Sequence, residues 1–252
     1  MTDSQEYLEK KRFFDSLITL YGRNVAIEIL KDPTVKIYKL HLSKSNRVDH
    51  TIEEIIQLAQ ARNIEIKYHT KDALSRISKN SAQDQGVALD VETQNYKDAV
   101  VIEQELKDSF RLIALDGINN PQNLGMIIRS VAASKLDGII LPKKNSTKLS
   151  PLVMKASAGT LFKLPIYYCD TLDVLFQSLT KTCTIITLSS HAKIDIHSLN
   201  IPKRSIFVLG NESDGVSAEV QKYSTQSVSI AMNRGVESLN VAVTAGIVSF
   251  LP

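Results

Sequence analysis

Three short polar segments of this chain have the composition of a ligand-binding site. They are 116–125 (DGINNPQNLG), 210–215 (GNESDG) and 233–240 (NRGVESLN). Glycine lets a backbone approach a ligand closely, while asparagine, serine and glutamate side chains can hydrogen-bond to it. Each segment follows an apolar run with the length and composition of a buried strand. Since ligands of parallel α/β sheets bind beyond the carboxyl ends of the strands, the three segments predict one shared site.

Each segment also has a simpler explanation as turn and helix-cap chemistry. Asn123 can cap the helix that follows the first segment, and Ser238 or Asn240 can cap the last helix. Gly210 and Gly215 can serve only to make a tight turn. One such segment would favour this simpler explanation, but three in one half of the chain favour a site. No Gly-x-Gly-x-x-Gly pattern follows the first strand of that half, which disfavours an ordinary dinucleotide-binding fold.

Hydrophobic periodicity divides the chain into two α/β halves. In the first half we expect helices at 13–30, 51–62 and 72–78 and strands at 37–42, 64–68 and 85–91. This alternation predicts a small α/β domain over 1–95 with a helix on its N-terminal side, followed by a linker over 96–110.

The second half, 111–252, alternates in the same way over a longer stretch. We expect strands at 111–115, 138–141, 164–168, 184–188, 205–210 and 227–232. Helices are expected at 124–134, 151–158, 172–180, 217–224 and 240–249. Strands that alternate with helices predict a mostly parallel sheet covered on both faces, so the fold class is α/β.

The composition is that of an ordinary globular chain, since 43% of the 252 residues are hydrophobic and 23% are charged. No apolar run approaches the roughly 18 residues that span a bilayer, so we expect no membrane partner. The first residues lack the apolar region of a secretion signal. Cys169 and Cys183 lack the spacing of a metal site or a disulfide framework. We therefore expect a cytoplasmic protein with two reduced thiols and no metal.

The formal net charge is +3, and its placement is more informative than its size. Acids and bases balance over 1–95, so the excess lies in the second half. One stretch, 141–165, contains five lysines and no acid: Lys143, Lys144, Lys148, Lys155 and Lys163. A basic strip of this kind can bind phosphates, and it can equally be a solvated surface.

The three polar segments lie within longer motifs that resemble a known family. LDGINNPQNLGMIIRSVAASKLDGIIL (115–141), FVLGNESDGVS (207–217) and SIAMNRGVESLNVAVTAGI (229–247) are similar, in order and spacing, to the three motifs of the SpoU/TrmH family of SPOUT-class methyltransferases. The resemblance covers 111–250. Residues 1–91, with YGRNVAIEIL and DQGVALDV near their ends, resemble the L30-like substrate-binding domain found in several members.

This resemblance implies an activity and an architecture. Members transfer a methyl group from S-adenosyl-L-methionine to a ribose 2′-hydroxyl of RNA. The C-terminal segment of the methyltransferase domain forms a trefoil knot, and the enzymes are homodimers with active sites at the subunit interface. One departure is that Ala231 stands where the third motif usually has proline.

The resemblance also assigns residues. The catalytic residues implied are Asn123, Arg129, Glu212, Ser238 and Asn240. The cofactor-binding residues implied, mainly through their backbone, are Leu209, Gly210, Asn211, Ile230, Met232, Leu239 and Asn240. With an RNA substrate, Lys143, Lys144 and Lys148 of the basic strip are expected to face the RNA.

Arg129 is the charged residue that stands out in the apolar helix predicted after the first segment. Its planar guanidinium can hold a phosphate or the 2′-oxygen near the methyl donor. Because a guanidinium resists deprotonation, we expect it to orient the substrate and stabilise charge rather than to act as the base. The alternative is a structural helix arginine paired with an acid such as Glu212.

Several functions remain open from the sequence. The L30-like domain favours ribosomal RNA over transfer RNA as the substrate, by analogy alone. A tRNA 2′-O-methyltransferase is one alternative. A non-catalytic RNA-binding or ribosome-assembly protein that retains the fold is another, which the joint presence of the five implied catalytic residues disfavours.

Overall fold

The computed structural model describes residues 13–14, 17–47, 49–92, 96–106 and 108–252. The described chain forms two compact units. The first contains the described residues up to 92 together with 149–155, and the second contains the other described residues from 96 onwards. No helix in the described ranges is long and apolar enough to cross a membrane.

The first unit is a four-stranded sheet with three helices. Its elements are β1 (Leu17–Tyr21), α1 (Arg23–Lys31), β2 (Ile37–Ser43), α2 (His50–Ala61), β3 (Glu65–His69), α3 (Lys71–Ser78) and β4 (Val87–Glu92). The strand order is β1-β4-β2-β3. Strand β4 runs antiparallel to β1 and β2, and β2 runs parallel to β3. Buried Leu20, Leu40 and Leu89 contribute to its core.

The sequence prediction of one helix over 13–30 is wrong for its central part. Residues 15–16 lie outside the described residues, and Leu17–Tyr21 forms a strand that pairs with β4. This run, LITLY, is rich in β-branched and aromatic residues, which favour a pleated sheet. Gly22, at φ 101, then separates the strand from the helix, because this backbone conformation interrupts both.

The second unit contains an eight-stranded sheet. Its strands are β5 (Tyr96–Asp98), β6 (Phe110–Leu115), β7 (Gly138–Pro142), β8 (Ile166–Cys169), β9 (Thr184–Leu188), β10 (Ile194–Asp195), β11 (Arg204–Leu209) and β12 (Gln226–Ser229). Its helices are α4 (Ile102–Glu105), α5 (Pro121–Ala132), α7 (Leu172–Leu179), α8 (Ala218–Gln221) and α9 (Val241–Ser249), while α6 (Pro151–Ala156) begins in the segment assigned to the first unit.

All described strand pairs of this sheet are parallel, in the order β10-β12-β9-β11-β6-β7-β8-β5. Successive residues such as Ile206, Phe207 and Val208 are fully buried. Neighbouring residues of a strand point to opposite faces, so both faces of the sheet are covered. The predicted α/β fold with a mostly parallel sheet is confirmed.

The described residues of the segment predicted as a linker, 96–106 and 108–110, are folded into the second unit. Strand β5 pairs in parallel with β8 at the edge of the sheet. A 3₁₀ turn at Ala99–Val101 and helix α4 follow, with Ala99 and Ile102 in the core of this unit. The segment was predicted as a linker because most of its residues are polar, although Ala99 and Ile102 are buried.

Most other predicted elements are confirmed near their expected positions, including β9 with both of its bounds. Several elements are shorter than predicted. The helix expected at 217–224 covers only Ala218–Gln221, and the strand expected at 227–232 ends at Ser229. Residues 230–240 therefore form a long irregular segment after β12, before α9 begins.

Candidate active site

Four neighbouring strands of the second unit, β12, β9, β11 and β6, end at the same edge of the sheet. The three polar segments of the sequence leave this edge, after β6, β11 and β12. A cavity of about 340 Å³ lies beyond the ends of β9, β11 and β12. It brings together six of the predicted cofactor residues: Leu209, Gly210, Asn211, Ile230, Met232 and Leu239.

Gly210 is fixed by the close return of its own loop. A Cβ atom at this position would lie 1.9 Å from the carbonyl carbon of Gly215 and 2.2 Å from the amide nitrogen of Val216. Those neighbours are backbone atoms, which cannot move aside as a flexible side chain can. The sequence needs glycine here because the chain crosses itself at this point, not only because of a turn.

The side chain of Asn211 organises the same loop. Its Oδ1 accepts hydrogen bonds from the amides of Ser213 (2.8 Å) and Asp214 (2.7 Å). The loop is tied to the end of β6 by Asp116, whose Oδ2 accepts from the amide of Ser217 at 2.7 Å. The amide of Asp116 donates to the carbonyl of Leu209 at 2.8 Å. The first two polar segments are thus held together independently of any ligand.

A chain of hydrogen bonds joins all three polar segments. The buried Asn123 side chain donates through Nδ2 to the Glu212 carboxylate. Its Oδ1 accepts from Nδ2 of Asn240 at 3.1 Å. Both sides of the Asn123 amide are therefore occupied, so this residue fixes the positions of Glu212 and Asn240 relative to one another.

Helix capping accounts for only some of the polar residues. The N-cap of α5 is Asn120, whose side chain accepts from the amide of Gln122 at 2.8 Å, so Asn123 is free to make the network. Asn240 caps α9 through the amide of Ala242 at 2.9 Å and also belongs to the network. For Asn240 the cap explanation is correct, and its hydrogen bond to Asn123 leaves a role in the site open as a prediction.

Arg129 is exposed on α5 and does not line the cavity. It lies six positions after Asn123, roughly 9 Å along the helix axis. Within the described residues no acid pairs with it, and Glu212 binds Asn123 instead. The structural alternative, an Arg129–Glu212 pair, is therefore wrong. Of the other predicted catalytic residues, Glu212 and Ser238 line the cavity, while Asn123 and Asn240 support its rim.

The cavity has an acidic character that the sequence analysis did not anticipate. Three carboxylates, those of Glu212, Asp214 and Glu237, line it together with His191. No lysine or arginine is among its described lining residues. Such a lining favours a ligand that carries positive charge and disfavours one that carries several phosphates.

Sequence reasoning missed the contribution of strand β9. Leu188 and the residues after it, 189–191, line the cavity next to the loop that follows β11. The signal was available, because the polar residues SSH follow the apolar strand TIITL in the same way as the other three segments follow their strands. Thr244, one turn into α9, was also missed.

One lysine of the basic strip is paired with an acid that lies outside the strip in the sequence. Nζ of Lys143 lies 2.9 Å from Oδ1 of Asp170, which follows β8. The hydrogen bond to Asp170 raises the pKa of Lys143 and lowers that of the carboxyl. Lys144 and Lys148 are exposed and have no acidic partner in the described ranges. No three His, Cys, Asp or Glu side chains of the described residues are arranged to hold a metal ion.

Two family models match the chain in the order of its two units. The model described as the SpoU rRNA Methylase family matches residues 110–250. The model described as RNA 2′-O ribose methyltransferase substrate binding matches residues 19–97. The first match alone covers more than half of the chain.

Individual proteins give the same result. A protein of Mycolicibacterium gilvum, named as an uncharacterised tRNA/rRNA methyltransferase, is 31% identical over 242 residues, which cover 94% of this chain and 76% of that protein. The 23S rRNA (guanosine-2′-O-)-methyltransferase RlmB of Neisseria meningitidis serogroup B is 29% identical over 231 residues, which cover 91% of this chain and 92% of RlmB.

A solved structure shares the fold over both units. The SpoU methyltransferase AviRb of Streptomyces viridochromogenes, crystallised in complex with the cofactor AdoMet, superposes with a TM-score of 0.70 at 18% identity and covers 98% of this chain and 92% of its own. The matching models, the sequence relatives and the fold lead to one conclusion: the chain belongs to the SpoU family of RNA 2′-O-ribose methyltransferases.

Proposed function

We propose that this protein transfers the methyl group of S-adenosylmethionine to a ribose 2′-hydroxyl of ribosomal RNA in the cytoplasm. The observation that carries the proposal is the hydrogen-bond chain from Glu212 through Asn123 to Asn240. It joins three loops from separate strands at the rim of one cavity. Turns that served only to connect elements would not need a buried amide to hold them together.

The cavity fits S-adenosylmethionine in size and in chemistry. Its volume of about 340 Å³ lies in the range of small-molecule sites. Apolar side chains such as Leu209, Ile230 and Leu239 offer a surface for a flat base. The carboxylates favour the positive charges of a sulfonium and an amino group. The AdoMet bound to AviRb, which has the same fold, further supports this cofactor.

The roles of the site residues follow from their positions. When bound, S-adenosylmethionine supplies an activated methyl group, so the protein has to align the 2′-oxygen and assist the loss of its proton. Arg129 is the orienting and charge-stabilising group, and the proton leaves to an RNA phosphate or to water. Ser238 and Glu212 face the cavity, whereas Asn123 and Asn240 hold Glu212 in place.

Arg129 requires a second copy of the chain to act in this way. It is exposed on α5, outside the cavity of its own chain. Helix α5 packs on α9. Three large apolar side chains of this region are exposed: Met126 on α5 is 42% exposed, Val243 on α9 is 52% exposed, and Phe250, just after α9, is 64% exposed. An apolar face of this kind, next to an arginine that has no acidic partner among the described residues, favours a homodimer in which active sites form at the subunit interface.

The remaining architecture is proposed to follow the family. The first unit would be an L30-like RNA-binding domain up to about residue 95, and 111–252 would form the knotted methyltransferase domain. The return of the chain from β12 to α9, which packs on α5 and β11, is consistent with a C-terminal knot. Exposed Lys144 and Lys148, together with Lys143, would face the RNA.

The substrate class is supported by the relative that matches along nearly its whole length. RlmB is named for 23S rRNA and aligns over 92% of its length. The Mycolicibacterium relative is named for tRNA or rRNA, so transfer RNA is the alternative to be tested.

The test uses the purified full chain and S-adenosylmethionine carrying a tritiated methyl group. We expect label to enter ribosomal RNA from cells that lack the protein, and mapping of 2′-O-methyl positions in RNA from cells with and without it to identify the nucleotide. Label in transfer RNA alone would reject the substrate. No label in either RNA, with no heat of S-adenosylmethionine binding in calorimetry, would reject the enzyme and favour a non-catalytic RNA-binding protein.

A further inference from the structure

A relay of hydrogen bonds crosses all four strands of the first unit. Thr19 on β1 donates to Oδ1 of Asp90 on β4 at 2.7 Å. Oδ2 of Asp90 lies 3.0 Å from Nε2 of His41 on β2, and Nδ1 of His41 lies 2.9 Å from Nε2 of His69 on β3. The relay follows the strand order β1-β4-β2-β3, so each link joins neighbouring strands.

The relay contains a partly buried carboxylate, that of Asp90 on β4. His41 is 5% exposed, and the Asp90 side chain is 19% exposed. Burial alone raises the pKa of Asp90, but the hydrogen bonds from His41 and Thr19 outweigh it and lower that pKa below its usual value. Asp90 is therefore ionised at neutral pH and requires an N–H at Nε2 of His41.

The carboxylate fixes the proton positions along the relay. A neutral imidazole carries one N–H, so when Nε2 of His41 donates to Asp90, its Nδ1 can only accept. His69 must then donate through Nε2, which leaves its Nδ1 as an acceptor. When the histidine pair takes up one proton, Nδ1 of His69 becomes a donor instead. One proton therefore reverses the hydrogen-bonding character of the outer end.

The outer end of the relay lies in a positive environment. His69 is partly exposed, and its Nδ1 has no partner within the described residues. Burial lowers the pKa of His69, and the charges of His41, Lys67, Lys39 and Lys44 lower it further. One of these lysines is balanced by an acid, since Nζ of Lys39 lies 3.1 Å from Oε2 of Glu65.

Helix α3, which packs on β2, β3 and β4, carries Lys71, Asp72 and Arg76, and helix α2, which packs on β3, carries His50, Glu53 and Glu54. None of these side chains bonds to the relay among the described residues. An anion beside His69 would therefore meet three lysines and a group able to take up a proton. A bound anion would also remove the repulsion that disfavours the charged imidazole.

We propose that the His69 end of this relay binds a phosphodiester of the substrate RNA, and that binding places one additional proton on the His41–His69 pair. The proposal rests on the proposed function, since it takes RNA as the ligand of the first unit. His69 is the binding residue, and Asp90 is a positioning residue that acts through His41. RNA binding is then coupled to pH by a site far along the sequence from the methyl-transfer motifs.

The test measures RNA affinity against pH with the full chain at constant ionic strength. The probe is a fluorescein-labelled fragment of ribosomal RNA, followed by fluorescence anisotropy between pH 6 and 8. We expect the wild-type affinity to be severalfold higher at pH 6 than at pH 8, because the pKa of His69 rises when the RNA binds. Equal wild-type affinity at the two pH values would overturn the proposal.

Two variants and a control assign the effect. His69→Gln keeps a hydrogen-bonding side chain that cannot take up a proton, so its affinity should be flat with pH and near the wild-type value at pH 8. Asp90→Asn should shift the pH dependence to lower pH, because the carboxylate no longer stabilises an imidazolium. His50→Gln, at an exposed position of the same unit, should behave as wild type. Full pH dependence in His69→Gln would refute the assignment.

A second measurement does not depend on the stability of the variants. The ring resonances of His69 in the wild-type chain, followed by NMR with and without the RNA, should report a higher pKa in the complex. A shift caused by inorganic phosphate but not by RNA would overturn the proposal for RNA. If the wild-type RNA affinity did not depend on pH while methyl transfer was intact, the relay proposal would be wrong and the proposed function would stand. If methyl transfer failed, the proposed function itself would be wrong.

Discussion

The two units place their polar chemistry in different parts of a sheet. In the second unit, Glu212 and Asn240 lie in loops beyond the strand ends, and central strands such as β6, β7 and β11 are largely apolar on both faces. In the first unit, His41 and Asp90 lie within strands, on one face of a sheet in which β4 runs antiparallel to two neighbours. A parallel sheet covered on both faces leaves little room for polar groups except at its ends.

This difference affects how each site is built. A site at strand ends depends on backbone turns and on side chains that link one loop to another. A site on a sheet face depends on cross-strand neighbours, which the register of the strands sets. Substitutions that force a backbone turn to change shape should therefore cause the largest losses of ligand binding in the second unit. Substitutions that remove a single polar group should cause smaller losses of stability in the first unit.

The largest effect is expected from Gly210→Ala in the second unit. Its Cβ would meet the backbone of Gly215 at 1.9 Å, so the loop that lines the cavity has to change shape. We expect the affinity for S-adenosylmethionine to fall at least about a hundredfold, or 2.8 kcal/mol, in calorimetry. Wild-type affinity in this variant would show that the cavity is not the cofactor site.

Gly246→Ala is the matched control for that substitution. Its Cβ would have only Ser130 Oγ within reach, at 3.9 Å, and it lies inside helix α9. Alanine is favoured over glycine in a helix, so this variant should keep cofactor binding and gain roughly 0.4–1 kcal/mol of stability.

The second prediction separates binding from turnover. Arg129 lies outside the cavity, so Arg129→Ala should keep the affinity for S-adenosylmethionine but reduce methyl transfer at least roughly tenfold, about 1.4 kcal/mol of barrier. Lys135→Ala, which removes an exposed positive charge just after the same helix, should leave turnover unchanged. Turnover that survives in Arg129→Ala would remove this residue from the mechanism.

The third prediction concerns the basic strip. Charge reversal of Lys143 and Lys144 together should weaken RNA binding and reduce its dependence on salt concentration. Lys144→Glu alone should account for most of the change and lower the salt slope by about 1, because Asp170 already neutralises Lys143. The measurement is RNA affinity at several salt concentrations, and an unaltered slope would mean that the strip is only a solvated surface.

The same difference between units explains what the sequence could predict. The candidate site of the second unit could be predicted from the sequence, because turn residues that follow an apolar strand are easy to recognise. The Gly, Asn and Glu residues of 210–215 are an example. The relay could not be predicted, since His41 and Asp90 lie in alternating strands, where polar residues usually mark exposed positions. Their contact depends on the register of β2 with β4, which no local pattern specifies. The prediction of a linker was wrong for a similar reason, because β5 forms through its pairing with β8 and its own three residues do not specify a strand.

The smallest effect tests whether the first-unit relay stabilises its sheet. Thr19→Val keeps the shape and strand preference of the residue but removes the hydroxyl that donates to Asp90. We expect a loss of about 1 kcal/mol at pH 7, measured by thermal unfolding, with Thr184→Val on β9 as a strand control. The pKa of folded Asp90 lies below that of the unfolded chain, so its contribution is complete above the unfolded value and is lost as the pH falls through the folded one. The difference between wild type and Thr19→Val should therefore shrink below roughly pH 4. A difference that persists unchanged in acid would mean that the hydroxyl stabilises the sheet by a route other than the Asp90 carboxylate.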